Sequence, residues 1–203
     1  MLRVSYALIE AVPDQPEGLP LSAYRLRQLS VLRPSLRRRQ GIGAELLLIR
    51  ALRQFRPDWP VPLSISVDEN GKPFLPDSGM FFSLSHSGAY AACALSDRPV
   101  GLDLERETAP RPPLLRRCFS AAEQEYIRSS SNPSAAFTQL WTGKESLGKA
   151  TGAGLRAVRP EQDLLKLPAE IGLWHTAVED LHLSVCVLGG DPFPELLERV
   201  SLP

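Results

Sequence analysis

The 203-residue chain is short of lysine and cysteine and carries no excess of either charge. Lys and Arg together number 23, as do Asp and Glu, so the formal net charge is zero. This excludes a protein that holds nucleic acid through its overall charge, which needs a basic excess. No apolar run approaches the roughly 18 residues of a membrane span. The start, MLRVSYALIEAVPD, meets an acid after a short apolar stretch, unlike a secretory leader. Cys93, Cys118 and Cys186 are scattered and form no C-x-x-C. That pattern argues against a disulfide framework or a zinc knuckle and fits a reducing cytoplasm. With 43% hydrophobic and 23% charged residues the composition is ordinary for a globular protein. A chain of this length buries roughly 70% of its unfolded surface, as one large domain or two small packed units.

Only Lys72, Lys144, Lys149 and Lys166 among the 23 basic residues are lysine. A chain that uses Arg for generic positive charge keeps Lys by chance, or where a compact ammonium matters. Residues 2–9 read as a strand, and Leu21 to Phe55 as helical, broken near Pro34 at a helix N1 position. Val61–Ser66 alternates as a strand, and Asn70-Gly71 is a tight-turn signal. Phe81–Ser85, Tyr90–Leu95 and Pro99–Glu105 read as short strands. Ser120-Ala-Ala-Glu123 is a capping box opening a helix to about Arg128. Ala135–Thr151 is a longer helix ended by Gly152–Gly154, and 171–176 and 181–188 return to strand. The order is α+β, one long helix and several strands in each of two halves, 1–98 and 99–203, with the seam near Asp97–Pro99.

Four constellations carry chemistry. In Val100-Gly-Leu-Asp-Leu-Glu105, strand alternation sends Val100, Leu102 and Leu104 to one face. Asp103 and Glu105 fall on the other, with Gly101 leaving open space beside them. Adjacent carboxylates suit a hard cation such as Mg²⁺; an amphipathic strand with a solvated acidic face has the same pattern. In Phe137–Lys149, Trp141, Glu145 and Lys149 recur at i, i+4, i+8 and line one helical stripe, while Phe137, Leu140, Lys144 and Leu147 share the next. Gly143 and Gly148 each cost the helix about 1 kcal/mol relative to Ala, so something approaches the helix there, a ligand or a packed element. Gly71-Lys72-Pro73 with Ser83-Leu-Ser85-His86-Ser-Gly88 offers hydroxyls, an imidazole on a strand-ending loop and a nearby ammonium, groups that an anionic phosphate needs. Residues 25–56 hold nine arginines against one acid, Glu45. Arg37-Arg38-Arg39 there is either a phosphate site or a solvated face.

Taken together, GKPFLPDSGMFFSLSHSGAYAACAL, VGLDLE and FTQLWTGKESLGKATGAGL, in this order and spacing, closely resemble the three motifs of the long, surfactin-synthetase-activating 4′-phosphopantetheinyl transferases. The resemblance covers roughly residues 71–155. It implies transfer of the phosphopantetheine arm of coenzyme A to a serine of an apo acyl, polyketide or peptidyl carrier protein, with release of 3′,5′-ADP. It implies Mg²⁺ on Asp103, Glu105 and Glu145, Lys149 on the diphosphate, and Lys72, His86, Ser85 and the arginine run, Arg38 and Arg39 foremost, on coenzyme A phosphates. Glu145, or a water on the metal, would take the serine proton. It further implies a cytoplasmic monomer of two similar α+β halves packed as a pseudo-dimer with the site between them, and no nucleic-acid or membrane partner. Tyr90 stands where the family usually has an aromatic, often Trp, and Gly143 and Gly148 occupy positions often filled by larger residues. Two rival readings are a Mg²⁺-dependent nucleotide diphosphate hydrolase, which needs the same acids but no protein partner, and a coenzyme A-binding module that has lost catalysis. The intact Asp103, Glu105, Glu145 and Lys149 argue against the module.

Overall fold

The computed structural model describes residues 1–178, 180–191 and 193–202, with the side chains of Leu155 and Ala157 excepted. The chain is mixed α+β and divides into two compact units, Met1–Arg98 with Pro194–Pro203, and Pro99–Phe193. The break falls within the Asp97–Pro99 seam. The last ten residues group with the first unit, whereas the sequence boundary of 99–203 places them in the second.

In the first unit, strands β1 (Leu2–Leu8), β4 (Phe81–Ser87), β5 (Tyr90–Ser96) and β9 (Leu196–Arg199) form one sheet in the order β4-β5-β1-β9. The β1–β5 and β4–β5 pairs are antiparallel, and β9 runs parallel to β1. The helical stretch divides into α1 (Ala23–Ser30) and α2 (Leu36–Phe55). Ser35 is the N-cap of α2, so Pro34 precedes the cap instead of occupying N1. Ile42, Leu47, Leu48 and Leu52 of α2 are fully or almost fully buried in a core with Ile9, Phe82 and Leu95. At about 100° per residue these positions spread over more than half of the helix circumference, and Gln40 to Glu45 are buried without a break, so α2 is covered on more than one side. Glu45 is the one acid of the arginine-rich region. It is wholly buried and accepts from the Ser22 amide (2.5 Å) and hydroxyl (3.1 Å), with Arg25 Nε 3.4 Å away. The strand expected at Val61–Ser66 shrinks to β2 (Ser66–Val67), because Pro60 and Pro62 have no N–H for a ladder. Asn70-Gly71 does make the turn into β3 (Pro73–Phe74), with Gly71 at φ 86° and Asp68 accepting from the amides of Asn70 and Lys72.

In the second unit, β6 (Val100–Arg106), β7 (Ile171–Val178) and β8 (Leu181–Leu188) form an antiparallel sheet in the order β6-β8-β7. Helix α3 (Pro112–Cys118), unmarked in the sequence reading, precedes α4 (Ala121–Ser129) and the long α5 (Pro133–Thr151). The capping box forms as written: the Ser120 hydroxyl accepts from the Glu123 amide (3.1 Å), and Glu123 accepts from the Ser120 amide (2.7 Å). Gly152, at φ 72°, closes α5 in the left-handed conformation. Phe119, Phe137, Leu140 and Leu147 are the centre of this unit's core. Among the described residues no helix is long and apolar enough to cross a membrane.

Candidate active site

The acid strand and the motif helix lie against each other within the second unit, and Gly101 is the reason they can. A methyl group at Gly101 would overlap the Ser146 carbonyl oxygen and the Ala150 amide nitrogen of α5. The space beside the acids, expected to be open, is therefore filled by the backbone of the helix. Gly101→Ala is expected to cost about 3 kcal/mol, the upper range for overpacking against groups that cannot yield. A fall in the urea midpoint checks this, and an unchanged midpoint would mean that the helix does not need this approach. Gly143 and Gly148 have the same kind of explanation. A Cβ at Gly143 would sit 2.7 Å from Leu164 Cδ1, and one at Gly148 would sit 2.5 Å from the Gly154 carbonyl oxygen. Both α5 glycines serve packing, not ligand approach.

Strand register extends the polar face of β6 across the sheet. Asp103 lies opposite Ser184 and Glu105 opposite His182, and Ser184 in turn faces His175. Directly opposed residues point to one face, and that face meets α5, since Thr142 Oγ1 and Ser184 Oγ are 2.7 Å apart. From there a chain of contacts runs through His175 Nδ1 (3.1 Å from Ser184), His182 Nδ1 (3.3 Å from His175 Nε2) and Glu107 (3.4 Å from His182 Nε2). Burial, followed by the neighbouring His182, holds His175 down to about 4.

Lys149, one turn after Glu145 on α5, reaches the acid strand. Its ammonium donates to Asp103 Oδ1 at 2.7 Å and to the Leu102 carbonyl at 2.9 Å. Asp103 is buried, and Glu105 and Glu145 are half-buried. Burial raises the Glu145 carboxyl to about 7; the charges of Asp103 and Glu105 add to the rise and Lys149 opposes it. Three carboxylates are thus close enough to feel one another, and one ammonium is set among them. Their donor type fits a hard divalent cation. As they stand, among the described residues no three His, Cys, Asp or Glu side chains are grouped to enclose a metal ion.

Lys144, the neighbour of Glu145 in the motif, points elsewhere. It is fully buried and lies 3.0 Å from Glu123 Oε1, which is equally buried. It also donates to the carbonyls of Arg159 (3.2 Å) and Gln162 (2.5 Å), while Glu123 Oε1 accepts from the Leu164 amide at 2.9 Å. The capping-box acid and this lysine together clamp the 159–164 segment onto α5. That segment and α3 wall a cavity of about 770 Å³ with Glu145 and Trp141 in its lining. Arg117 of α3 and Arg111, the residue that precedes its first turn, also line it, as do Arg156 and Arg159. The sequence reading missed all four arginines. The signal available was Pro112-Pro113, two prolines at the first helical turn.

The expected phosphate contacts lie in the first unit. His86 is within β4, not on a loop after it; it is exposed, and Ser85 beside it is buried. Gln40 of α2 donates to the Gly88 carbonyl at 2.9 Å. That bond ties the helix start carrying Arg38 and Arg39 to the end of the strand carrying Ser85 and His86. Arg38 donates to the Leu32 carbonyl at 3.2 Å. Lys72 is on the separate β2–β3 hairpin. All three cysteines are buried and unbridged.

A sequence profile of the 4′-phosphopantetheinyl transferase superfamily matches residues 99–186, which hold β6, α5 and most of β8. A 4′-phosphopantetheinyl transferase of Bacillus subtilis is 33% identical over 117 residues, 56% of this chain and 52% of its own length. The 4′-phosphopantetheinyl transferase gsp of Aneurinibacillus migulanus is 38% identical over 90 residues, 43% and 38% of the two chains. The chain thus spans about half or less of these two relatives. The 4′-phosphopantetheinyl transferase Sfp of Bacillus subtilis strain 168 is 32% identical over 173 residues, 76% of each chain. Likeness at that level over three quarters of both proteins, together with a family profile that takes in Asp103, Glu105, Glu145 and Lys149, makes this chain a member of the 4′-phosphopantetheinyl transferase superfamily.

Proposed function

We propose that the chain transfers the phosphopantetheine group of coenzyme A to a serine hydroxyl of an apo carrier protein and releases 3′,5′-ADP. The observation that supports this reading is the packing of α5 on β6, which pairs Lys149 with Asp103 and leaves Glu145 within the field of both. Transfers of this kind depend on positioning and charge neutralisation more than on covalent chemistry. Asp103, Glu105 and Glu145 would hold Mg²⁺, which would supply positive charge against the diphosphate. Lys149 exchanges Asp103 for the diphosphate when substrate arrives and neutralises the charge that develops there. Glu145, or a water on the metal, takes the serine proton. In the first unit His86, Ser85, Arg38, Arg39 and Lys72 contact the remaining phosphate of coenzyme A. We place the reaction in the cytoplasm, where buried thiols stay reduced, with a single chain as the working unit.

Two experiments test this reading. Release of 3′,5′-ADP should require apo carrier; release from coenzyme A and Mg²⁺ alone would favour the diphosphate hydrolase. A ligand that binds only the folded state stabilises it by mass action, so Mg²⁺ with coenzyme A should raise the melting temperature. Asp103→Ala should remove the Mg²⁺-dependent part of that rise. An unaltered Mg²⁺ response in the variant would sink the metal assignment.

A further inference from the structure

The cavity beside Glu145 carries more positive charge than coenzyme A itself asks for. Four arginines line it, Arg111, Arg117, Arg156 and Arg159, all exposed, against two acids, Glu145 and Glu161. Among the described residues none of the four arginines has an ion-pair partner. Leu114, Trp141 and Val158 supply apolar wall. The site is a half-open cleft of about 770 Å³, a volume within the range of small-molecule sites. Along α5, Lys149, Glu145 and Trp141 are successive turns of one stripe. A chamber that starts at Glu145 and is floored by Trp141 therefore lies immediately beyond the point of transfer.

The pantetheine arm is neutral along its length and ends in a thiol. It fills an apolar chamber but leaves guanidinium groups unanswered. A carboxylate at the far end of that arm would answer them, by charge-assisted and bidentate hydrogen bonds. We propose that this pocket takes the distal end of coenzyme A thioesters whose acyl group carries a free carboxylate, so that the chain favours dicarboxylic acyl-coenzyme A donors and loads the acylated arm directly. The inference rests on the proposed transferase reading and names the substrate class of the same site.

The test uses two thioethers of coenzyme A matched in length and size, S-(3-carbamoylpropyl) and S-(3-carboxypropyl), a neutral amide and its carboxylate counterpart. Calorimetry on the full chain with Mg²⁺ should show the carboxylated ligand binding about tenfold more tightly, the low end for a charge-assisted contact. In Arg117→Ala/Arg159→Ala the ratio should fall to near one. In Arg116→Ala, a change on the same helix outside the pocket lining, it should persist. Equal affinities in the wild type overturn the proposal, as does a preference that survives the double substitution. An unaltered ratio with transfer slowed for every donor would give the pocket to the carrier protein, and also overturns it. Failure of coenzyme A itself to bind would instead remove the transferase reading and this inference with it.

Discussion

Lys144→Met is expected to destabilise the chain by about 3–5 kcal/mol, the scale for breaking a buried ion pair from one side. Glu123 would keep its amide donors, Ser120 and Leu164, but lose its counter-charge in a place without solvent. The carbonyls of Arg159 and Gln162 would lose their donor as well. Glu123→Gln in the Lys144→Met background should recover part of the loss, because the isolated charge is the costly element, not the absence of the pair. Urea midpoints of the two single variants and the double variant give the coupling. A loss below about 1 kcal/mol in Lys144→Met would place this lysine in solvent, as a surface pair would be.

Glu145→Gln should leave the fold intact and cut turnover about a hundredfold or more, the usual scale for a general base. The substitution keeps shape and hydrogen bonding and removes charge and basicity. The fold control has its own sign. Glu145 titrates at about 7 in the folded chain against an ordinary 4.5, so the folded state holds its proton more tightly than the unfolded state does. The stability this contributes is present at low pH and is lost as pH rises through about 7. Glu145→Gln should therefore melt no lower than the wild type in metal-free buffer at pH 8. A variant that unfolds there would mean that the carboxylate holds structure. Near-normal turnover would remove Glu145 from the chemistry.

Much of this was legible in the sequence, and the reasons are local. The alternation of VGLDLE placed Asp103 and Glu105 on one face, and the i, i+4, i+8 spacing placed Glu145 and Lys149 on one stripe. The capping box at Ser120 needs only four residues to be read. Tertiary facts were not legible. Gly101 marks a helix backbone brought close, not open space, and only the packed partner distinguishes the two. Lys144 shares a stripe with Phe137, Leu140 and Leu147, which hints at burial, but its acid lies 21 residues earlier in α4. Short helix α3 is hidden because Pro112-Pro113 serves a helix start as readily as a turn. The parallel pairing of β9 with β1 is a contact between the two ends of the chain, which no local window contains.

The central claim is most directly tested by the intact mass of an apo carrier protein incubated with the chain, coenzyme A and Mg²⁺. The account predicts that the carrier gains the mass of one phosphopantetheine, that the gain maps to a single serine, and that Glu145→Gln slows it by at least about a hundredfold. A panel of apo carriers that all keep their mass, under conditions in which the chain is folded and binds coenzyme A, would contradict it.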